Sequence, residues 1–102
     1  MKSKLKSLEE AAALVADGSQ IVMSARIDWA PMAMLRQVAK QGRKNLRLIG
    51  VVGGQINLDF LVGAGAAESV DTCSVSLDKY ARTGPNFERH VKEGRIRALD
   101  NT

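Results

Sequence analysis

Apolar residues recur along the chain with the spacing of helices in some segments and of strands in others. The first helical segment is "SLEEAAALVADG", residues 7 to 18. Ser7 and Glu10 have the spacing of a capping box at its start, and Gly18 ends it, because glycine adopts the left-handed C-terminal conformation at little cost. Its apolar positions share one helical face: Leu8, Ala11, Ala12 and Val15.

Three further helices are predicted, each ending at glycine. Pro31 opens "PMAMLRQVAKQ" (31–41), since its missing N–H would have no partner in the first turn of a helix. "LDFLVGAGA" (58–66) forms a short helix after the turn "GGQINLD" (53–59). "GPNFERHVKEG" (84–94) forms the last helix, beginning at Pro85.

Four segments between these helices have the composition of strands: "QIVMSA" (20–25), "NLRLIGV" (45–51), "SVDTCSV" (69–75) and "RIRALD" (95–100). The continuous apolar run of the first is typical of a parallel sheet with both faces covered. Alternating helices and strands predict one α/β domain over residues 1–102, with a small, mostly parallel sheet of about four strands and helices on both faces. Its strand edges need cover, so we expect a partner subunit or self-association.

The composition is that of an ordinary globular protein, with 45% hydrophobic and 25% charged residues among 102. No apolar run approaches the roughly 20 residues of a membrane-spanning helix. The start, "MKSKLKSLEE", lacks the apolar segment of a signal peptide. Cys73 is the only cysteine, which excludes an intrachain disulfide. These features predict a cytoplasmic protein.

The net charge of +4 is compatible with anionic ligands or nucleic acid. One run is basic without interruption by an acid: Arg36, Lys40, Arg43, Lys44 and Arg47. We interpret this run as a solvated helix face and turn, with nucleic-acid binding as the competing hypothesis. Four aromatic residues offer few surfaces for base stacking, and no membrane partner is expected.

Candidate catalytic residues are few. His90 is the only histidine and falls on the apolar edge of the last helix, without a neighbouring acid/base or nucleophile set. Cys73 lies inside a strand, as a packed cysteine would. Asp59, Asp71 and Asp78 are too far apart in sequence to indicate a carboxylate pair. No spacing predicts a metal site, so neither catalytic nor metal-binding residues are assigned.

Two loops follow strands at the edge where open α/β sheets bind ligands. "GVVGGQIN" places Gly53 and Gly54 there, with backbone N–H groups able to contact an anion or carbonyl oxygen, although the glycines by themselves favour a plain turn. The other loop, within "IVMSARIDWAPMAML" (21–35), has no glycine; it contains Arg26, Asp28 and Trp29.

The order of five segments resembles the start of the alpha-type subunit of family I CoA-transferases, in the glutaconate CoA-transferase-like branch that also contains CoA-ester hydrolases. The segments that carry the resemblance are "MKSKLKSLEEAAALVADG", "IVMSA", "APMAMLRQVAKQGRKNLRLIG", "GGQINLDFLVGAGAAESVDT" and "NFERHVKEGRI". Together they extend over essentially the whole chain. The resemblance implies a NagB/RpiA/CoA-transferase-like fold and CoA transfer between a thioester and a carboxylic acid.

The resemblance also implies that the alpha-type and beta-type subunits contribute different residues to the reaction. A glutamate of a beta-type partner forms the covalent thioester intermediate, so no catalytic residue is carried over to this chain. CoA thioester is a substrate, and no permanently bound cofactor is expected. The residues implied to bind substrate follow the first two strands: Ser24, Ala25, Arg26, Gly53, Gly54 and Gln55.

The chain departs from the family in two ways. Where the family has a glycine-rich loop after the first strand, this sequence reads Ser24, Ala25, Arg26 and Ile27. Arg26 is able to pair with a substrate carboxylate, while Asp28 is equally able to neutralise it. The chain is also much shorter than an alpha-type subunit, which suggests a truncated N-terminal domain. A non-catalytic family member that self-associates as a binding or assembly module is therefore the alternative hypothesis. The acid, the acyl group, the choice between transfer and hydrolysis, and the oligomeric state are not specified by the sequence.

Overall fold

The computed structural model describes residues 5–24, 31–51, 54–72, 74–77 and 81–99. Helices and strands alternate along this part of the chain, in the order α1 (Leu8–Ala12), β1 (Gln20–Ser24), α2 (Met32–Lys40), β2 (Leu46–Val51), α3 (Ile56–Gly63), β3 (Ala67–Asp71), α4 (Pro85–Lys92) and β4 (Arg97–Leu99). The four strands form one sheet in the order β1-β2-β3-β4, and every neighbouring pair is parallel. The predicted α/β class and four-stranded parallel sheet are confirmed.

The described helices form a single layer on one face of this sheet. Consecutive strands lie side by side, so crossovers of the same hand all place their helices on the same face. In agreement, α1 contacts α2, α2 contacts α3 and α3 contacts α4. The prediction of helices on both faces is therefore wrong for the described residues, because a helix reaches the second face only where the strand order reverses direction.

The core lies between the helical layer and the sheet. Leu46 and Leu48 of β2 and Val70 of β3 are fully buried there. The helices contribute Leu35, Val38, Leu58, Leu61 and Val62 to this core.

The opposite side of the sheet, here called the open face, is covered by none of the described helices, although Ser69 on it is buried at 3% exposure. Pairing across the register assigns its residues, because partners in adjacent parallel strands point to the same face. They are Gln20, Val22, Arg47, Ile49, Val51, Ser69, Asp71, Arg97 and Leu99. The side chain of Val22 is 59% exposed and that of Val51 is 48% exposed. The continuous apolar run of the first strand predicted a sheet covered on both faces. In the described structure the helices cover one face only.

The first helix is shorter than its sequence pattern. The capping box forms as predicted, with Ser7 Oγ accepting from Glu10 N at 3.1 Å and Glu10 Oε1 accepting from Ser7 N at 3.3 Å. After Ala12 the hydrogen bonds shorten to three-residue spacing, as in Leu14 N to Ala11 O, and the helix ends. Leu8, on the predicted apolar face of this helix, is 45% exposed, whereas Ala12 on the same face is fully buried.

The third helix begins at Ile56, earlier than the predicted start at Leu58. Asn57 Oδ1 accepts from Gln55 N at 3.1 Å and from Leu58 N at 2.9 Å, which satisfies backbone groups at the start of the helix. The segment interpreted as a turn therefore belongs partly to the first turn of α3. Within the described residues, no helix has the length and apolar character needed to cross a bilayer.

Candidate functional site

The candidate site lies at the carboxyl edge of the sheet, where parallel α/β sheets bind ligands. Ser24 ends β1 and pairs in register with Val51, which ends β2. Beyond Val51, Gly54 forms an isolated parallel bridge with Val75, so the chains that follow β2 and β3 remain paired past the sheet itself. Backbone pairing therefore fixes the ends of β1, β2 and β3 relative to one another at this edge.

Gly54 is tied into this edge through both of its backbone polar groups. Its N–H donates to Ser74 O at 2.7 Å, and its carbonyl accepts from Ser76 N at 3.0 Å. The Gly54 N–H, predicted as a possible ligand contact, therefore already donates a hydrogen bond within the protein. An oxyanion or carboxylate at this edge has to find its donors elsewhere.

The absence of a side chain at Gly54 has a structural reason. A Cβ at this position would lie 2.7 Å from Leu58 Cγ, a distance that real Cβ atoms do not show. Leu58 is fully buried on α3, so glycine lets this helix approach the extension of β2 closely. The same close approach brings the start of α3 to the carboxyl edge.

Some backbone N–H groups at the amino terminus of α3 already donate hydrogen bonds within the protein. Gln55 is the N-cap residue and is half-buried, but its side chain does not cap the helix. The side chain of Asn57, 1% exposed, accepts from two N–H groups instead. A helix start attracts anions through its N–H groups, and Asn57 reduces that capacity here.

Behind the edge, Asp59 fixes the start of α4. Its carboxylate is 4% exposed and accepts from Phe87 N at 2.8 Å and from Asn86 Nδ2 at 3.0 Å. Gly84, the N-cap residue of α4, donates its N–H to Val75 O at 2.9 Å. Asp59 therefore stabilises the loop that borders the candidate site.

The structure describes some of the predicted site residues and not others. It places Ser24, Gly54 and Gln55 at the same edge of the sheet. Ala25, Arg26 and Gly53 lie outside the described residues, as do Asp28, Trp29, Cys73 and Asp78. His90 is on α4 and only 6% exposed, which agrees with the expectation of a buried edge position.

The sequence analysis did not predict that Asn57 and Asp59 accept hydrogen bonds from backbone N–H groups at the starts of α3 and α4. Each is a polar residue in an otherwise apolar stretch, "INLDFLVG", and buried polar groups require hydrogen-bond partners. That contrast was the available signal. What it could not supply was the partner of Asp59, which lies 28 positions further along the chain.

The basic run does not form one surface. Arg36 and Lys40 are exposed on α2, on the helical side, whereas Arg47 lies on the open face and donates to Gly18 O at 3.5 Å. Arg43 is half-buried and donates to Gln41 Oε1 at 3.4 Å. This division weakens the nucleic-acid hypothesis, because phosphate binding requires the cations on one side. Among the described residues, no three His, Cys, Asp or Glu side chains cluster as metal ligands do.

Comparison with solved structures gives clear matches. The chain aligns with glutaconate coenzyme A-transferase from Acidaminococcus fermentans at a TM-score of 0.85 and 20% identity, over 98% of this chain and 32% of that one. It aligns with a variant of the decarboxylase AibA/AibB at a TM-score of 0.78 and 25% identity, over 95% of this chain and 38% of that one. No protein-family model matches the sequence, and no curated protein does.

These matches confirm the predicted structural resemblance to a CoA-transferase subunit. The chain has the α/β fold of a CoA-transferase-like domain. It spans about a third of the length of the two matched chains. The two matched structures are a decarboxylase and a CoA-transferase, so the fold alone does not determine the chemistry.

Proposed function

We propose that this chain is an alpha-type CoA-transferase domain that binds the acyl or carboxylate part of the substrate and acts with a beta-type partner. The observation that carries the proposal is the alignment of 98% of the chain with glutaconate coenzyme A-transferase at a TM-score of 0.85. The sequence resemblance, based on separate segments in the same order, supports the same assignment.

The proposed reaction moves CoA between a thioester and a carboxylic acid. The partner supplies the nucleophile, a glutamate whose carboxylate attacks the thioester carbonyl and releases the CoA thiolate. The thiolate then attacks the glutamyl carbonyl of the resulting mixed anhydride, which releases the donor acid as a carboxylate and leaves the covalent glutamyl thioester. The acceptor carboxylate completes the transfer by the reverse of these two steps. Each attack places negative charge on a carbonyl oxygen, and hydrogen-bond donors near that oxygen lower the barrier. The contribution of this chain is to hold the substrate against that nucleophile.

The proposed binding residues are Ser24, Ala25, Arg26, Gly53, Gly54 and Gln55. Because the Gly54 N–H is already donated to Ser74 O and a Cβ at Gly54 would overlap Leu58, the role of Gly54 is to let α3 begin close to the edge of the sheet. Arg26 supplies the charge complement of a carboxylate, since a guanidinium makes two parallel hydrogen bonds to one. We therefore assign substrate binding chiefly to Arg26.

The choice between transfer and other outcomes rests with the partner in this proposal. The decarboxylase among the matched structures shows that proteins with this fold carry other activities. A transferase passes the CoA to a second carboxylate, whereas a hydrolase uses water to release the CoA as a free thiol. Both reactions require that a carboxylate or thioester be bound at the edge of the sheet.

The test is binding to the complex of this chain with a beta-type protein, measured by calorimetry with acetyl-CoA and glutarate as probes. Arg26→Ala is compared with Arg26→Lys and with Arg36→Ala, an arginine exposed on α2 away from the edge. We expect Arg26→Ala to weaken glutarate binding at least about 10-fold, the loss of one bidentate ion pair, with partial recovery in Arg26→Lys. Arg36→Ala should bind as the wild type does.

Unchanged glutarate binding by the Arg26→Ala complex would remove Arg26 from the site. Absence of binding by the wild-type complex would count against the proposed function as a whole. The exposed open face supports a second candidate, a non-catalytic module that self-associates. A chain that forms a stable homo-oligomer, and joins no beta-type protein, would favour that candidate.

A further inference from the structure

The large exposed hydrophobic side chains fall into two groups with one exception. Among the described residues, three belong to the N-terminal segment, 5–14, and three to the open face; Val91 on α4 is the exception. The N-terminal group is Leu5, Leu8 and Leu14, and the open-face group is Val22, Val51 and Leu99. The two groups lie on opposite sides of the molecule, since α1 belongs to the helical layer.

The open face is ordered in rows across the strands. The first row runs Gln20, Arg47, Ser69 and Arg97, and the next runs Val22, Ile49, Asp71 and Leu99. An exposed pair of arginines therefore borders a row that is apolar except for Asp71. The face therefore presents apolar side chains, two exposed guanidinium groups and the half-buried carboxylate of Asp71, while Ser69 between the arginines is buried.

The N-terminal segment has the complementary character. Glu9 and Glu10 lie in the first turn of α1, and both are exposed beside the three exposed leucines. Lys6 is the one basic residue between positions 5 and 14. The segment presents apolar side chains together with two carboxylates, which suits a face that presents apolar side chains together with two guanidinium groups.

The dimensions suit a single helix. Four strands span about 14 Å from the first to the last, at about 4.8 Å per interval. At a rise of about 1.5 Å per residue the five residues of α1 are about 7.5 Å long, so α1 lying across the strands fits within this span.

The segment cannot reach the open face of its own molecule. Gln41 Nε2 of the chain following α2 donates to Glu9 O at 3.1 Å, and α1 packs against α2 on the helical side of the sheet. A contact between the segment and the open face therefore has to join two molecules.

We infer that the open face binds the N-terminal segment, residues 5–14, of a second copy of this chain. The contact is head-to-tail, because each copy uses a different surface. Each copy keeps its other surface free for a further molecule, so the assembly grows or closes into a ring. A small contact of this kind predicts association at high micromolar rather than nanomolar protein. The inference does not depend on the proposed CoA chemistry.

Two surface variants test the contact. Val22→Lys places a charge on the open face, and Leu14→Lys places one on the segment; both side chains are more than half exposed, so the fold should tolerate the change. Val91→Lys is the matched control, since Val91 is the exposed hydrophobic residue outside both groups. Circular dichroism and thermal unfolding verify that each variant is folded, and light scattering measures the mass from micromolar to near-millimolar protein.

We expect the mass of the wild type and of Val91→Lys to rise with concentration, while Val22→Lys and Leu14→Lys each remain single chains. Mixing these two variants should restore one contact only, from the intact face of Leu14→Lys to the intact segment of Val22→Lys. The mixture should therefore form a two-chain complex and stop there. Leu14→Glu should likewise lose association, which would show that added positive charge is not the cause.

Several results would overturn the inference. A wild type that remains a single chain throughout excludes the contact. Association of Leu14→Lys at the wild-type level would mean face-to-face pairing, and association of Val22→Lys at that level would mean pairing through the segment alone. A mixture that stays monomeric excludes the head-to-tail arrangement. Protection of the Val22 region from hydrogen exchange only when a beta-type protein is added would assign the face to that partner.

Discussion

The carboxylate of Asp59 accepts a hydrogen bond from the backbone N–H of Phe87 at 2.8 Å, so that one helix caps the start of another. The N-cap residue of α4 is Gly84, which has no side chain to do this. Asn86 adds a second contact to Asp59, from its Nδ2 at 3.0 Å, and in turn accepts from Arg89 Nη2 at 3.0 Å. This small network connects α3 to α4 directly behind the candidate site.

Asp59→Ala should lower the free energy of unfolding by about 1–3 kcal/mol, because it removes a cap and leaves buried N–H groups without an acceptor. Urea denaturation measures the change. Glu88→Ala is the control: its exposed ion pair with Lys92, at 3.2 Å, should contribute less than about 1 kcal/mol. Equal effects of the two substitutions would show that Asp59 does not act as a cap.

Gly54→Ala should destabilise the protein by about 1–3 kcal/mol, because the added Cβ overlaps the buried side chain of Leu58. A double-mutant cycle identifies the cause. In a Leu58→Ala background the side chain in conflict is gone, so the cost of Gly54→Ala should fall by at least about half. Denaturation curves of the four proteins give the coupling.

An undiminished cost of Gly54→Ala in the Leu58→Ala background would contradict this packing argument. Gly65→Ala provides a contrast, since nothing lies within 4 Å of its Cβ position but its φ is +76°. Its cost is one of backbone conformation alone and should not depend on Leu58.

Asn45 adopts a positive φ of 59° at the turn before β2. Asn45→Ala should cost about 1 kcal/mol, because a Cβ-bearing residue without a local side-chain hydrogen bond is disfavoured in this conformation. Asn45→Gly should be neutral or slightly stabilising. Thermal unfolding of both variants distinguishes them, and an Ala variant as stable as the Gly variant would argue against strain at this position.

Ser7→Ala removes the acceptor for Glu10 N and should increase hydrogen exchange in residues 8–15 by several fold, in line with a cap worth about 1 kcal/mol. The helix α1 is short and held to the rest of the fold chiefly through α2, so β2 and β3 should exchange at the wild-type rate. Faster exchange across the whole sheet would instead show that α1 is part of the global folding unit.

The periodicity of the sequence was sufficient to predict the elements and their parallel arrangement. Strands beginning at Gln20 and near Leu46 were predicted from local composition alone, and the capping box at Ser7 formed as expected. The face on which the helices pack depends on strand order, which local patterns do not encode. That is why helices were expected on both sides of the sheet.

The candidate site was predictable only in part, for a similar reason. The position of Gly54 at the carboxyl edge follows from its place after a strand. Its engagement with Ser74 and Ser76 depends on a loop that follows β3, and the close approach of Leu58 depends on the packing angle of α3. Such tertiary partners cannot be read from one segment of sequence. The assignment of Arg26 to substrate stays a prediction.

The central proposal is that this chain serves CoA transfer together with a beta-type partner. The most direct test is exchange of isotopically labelled acetate into acetyl-CoA, catalysed by the complex reconstituted from the two separately purified proteins. The proposal predicts exchange by the complex, none by either protein alone, and a loss of at least about 10-fold with Arg26→Ala but not with Arg36→Ala. A complex that assembles stably and yet catalyses neither exchange nor hydrolysis of any acyl-CoA offered would contradict it.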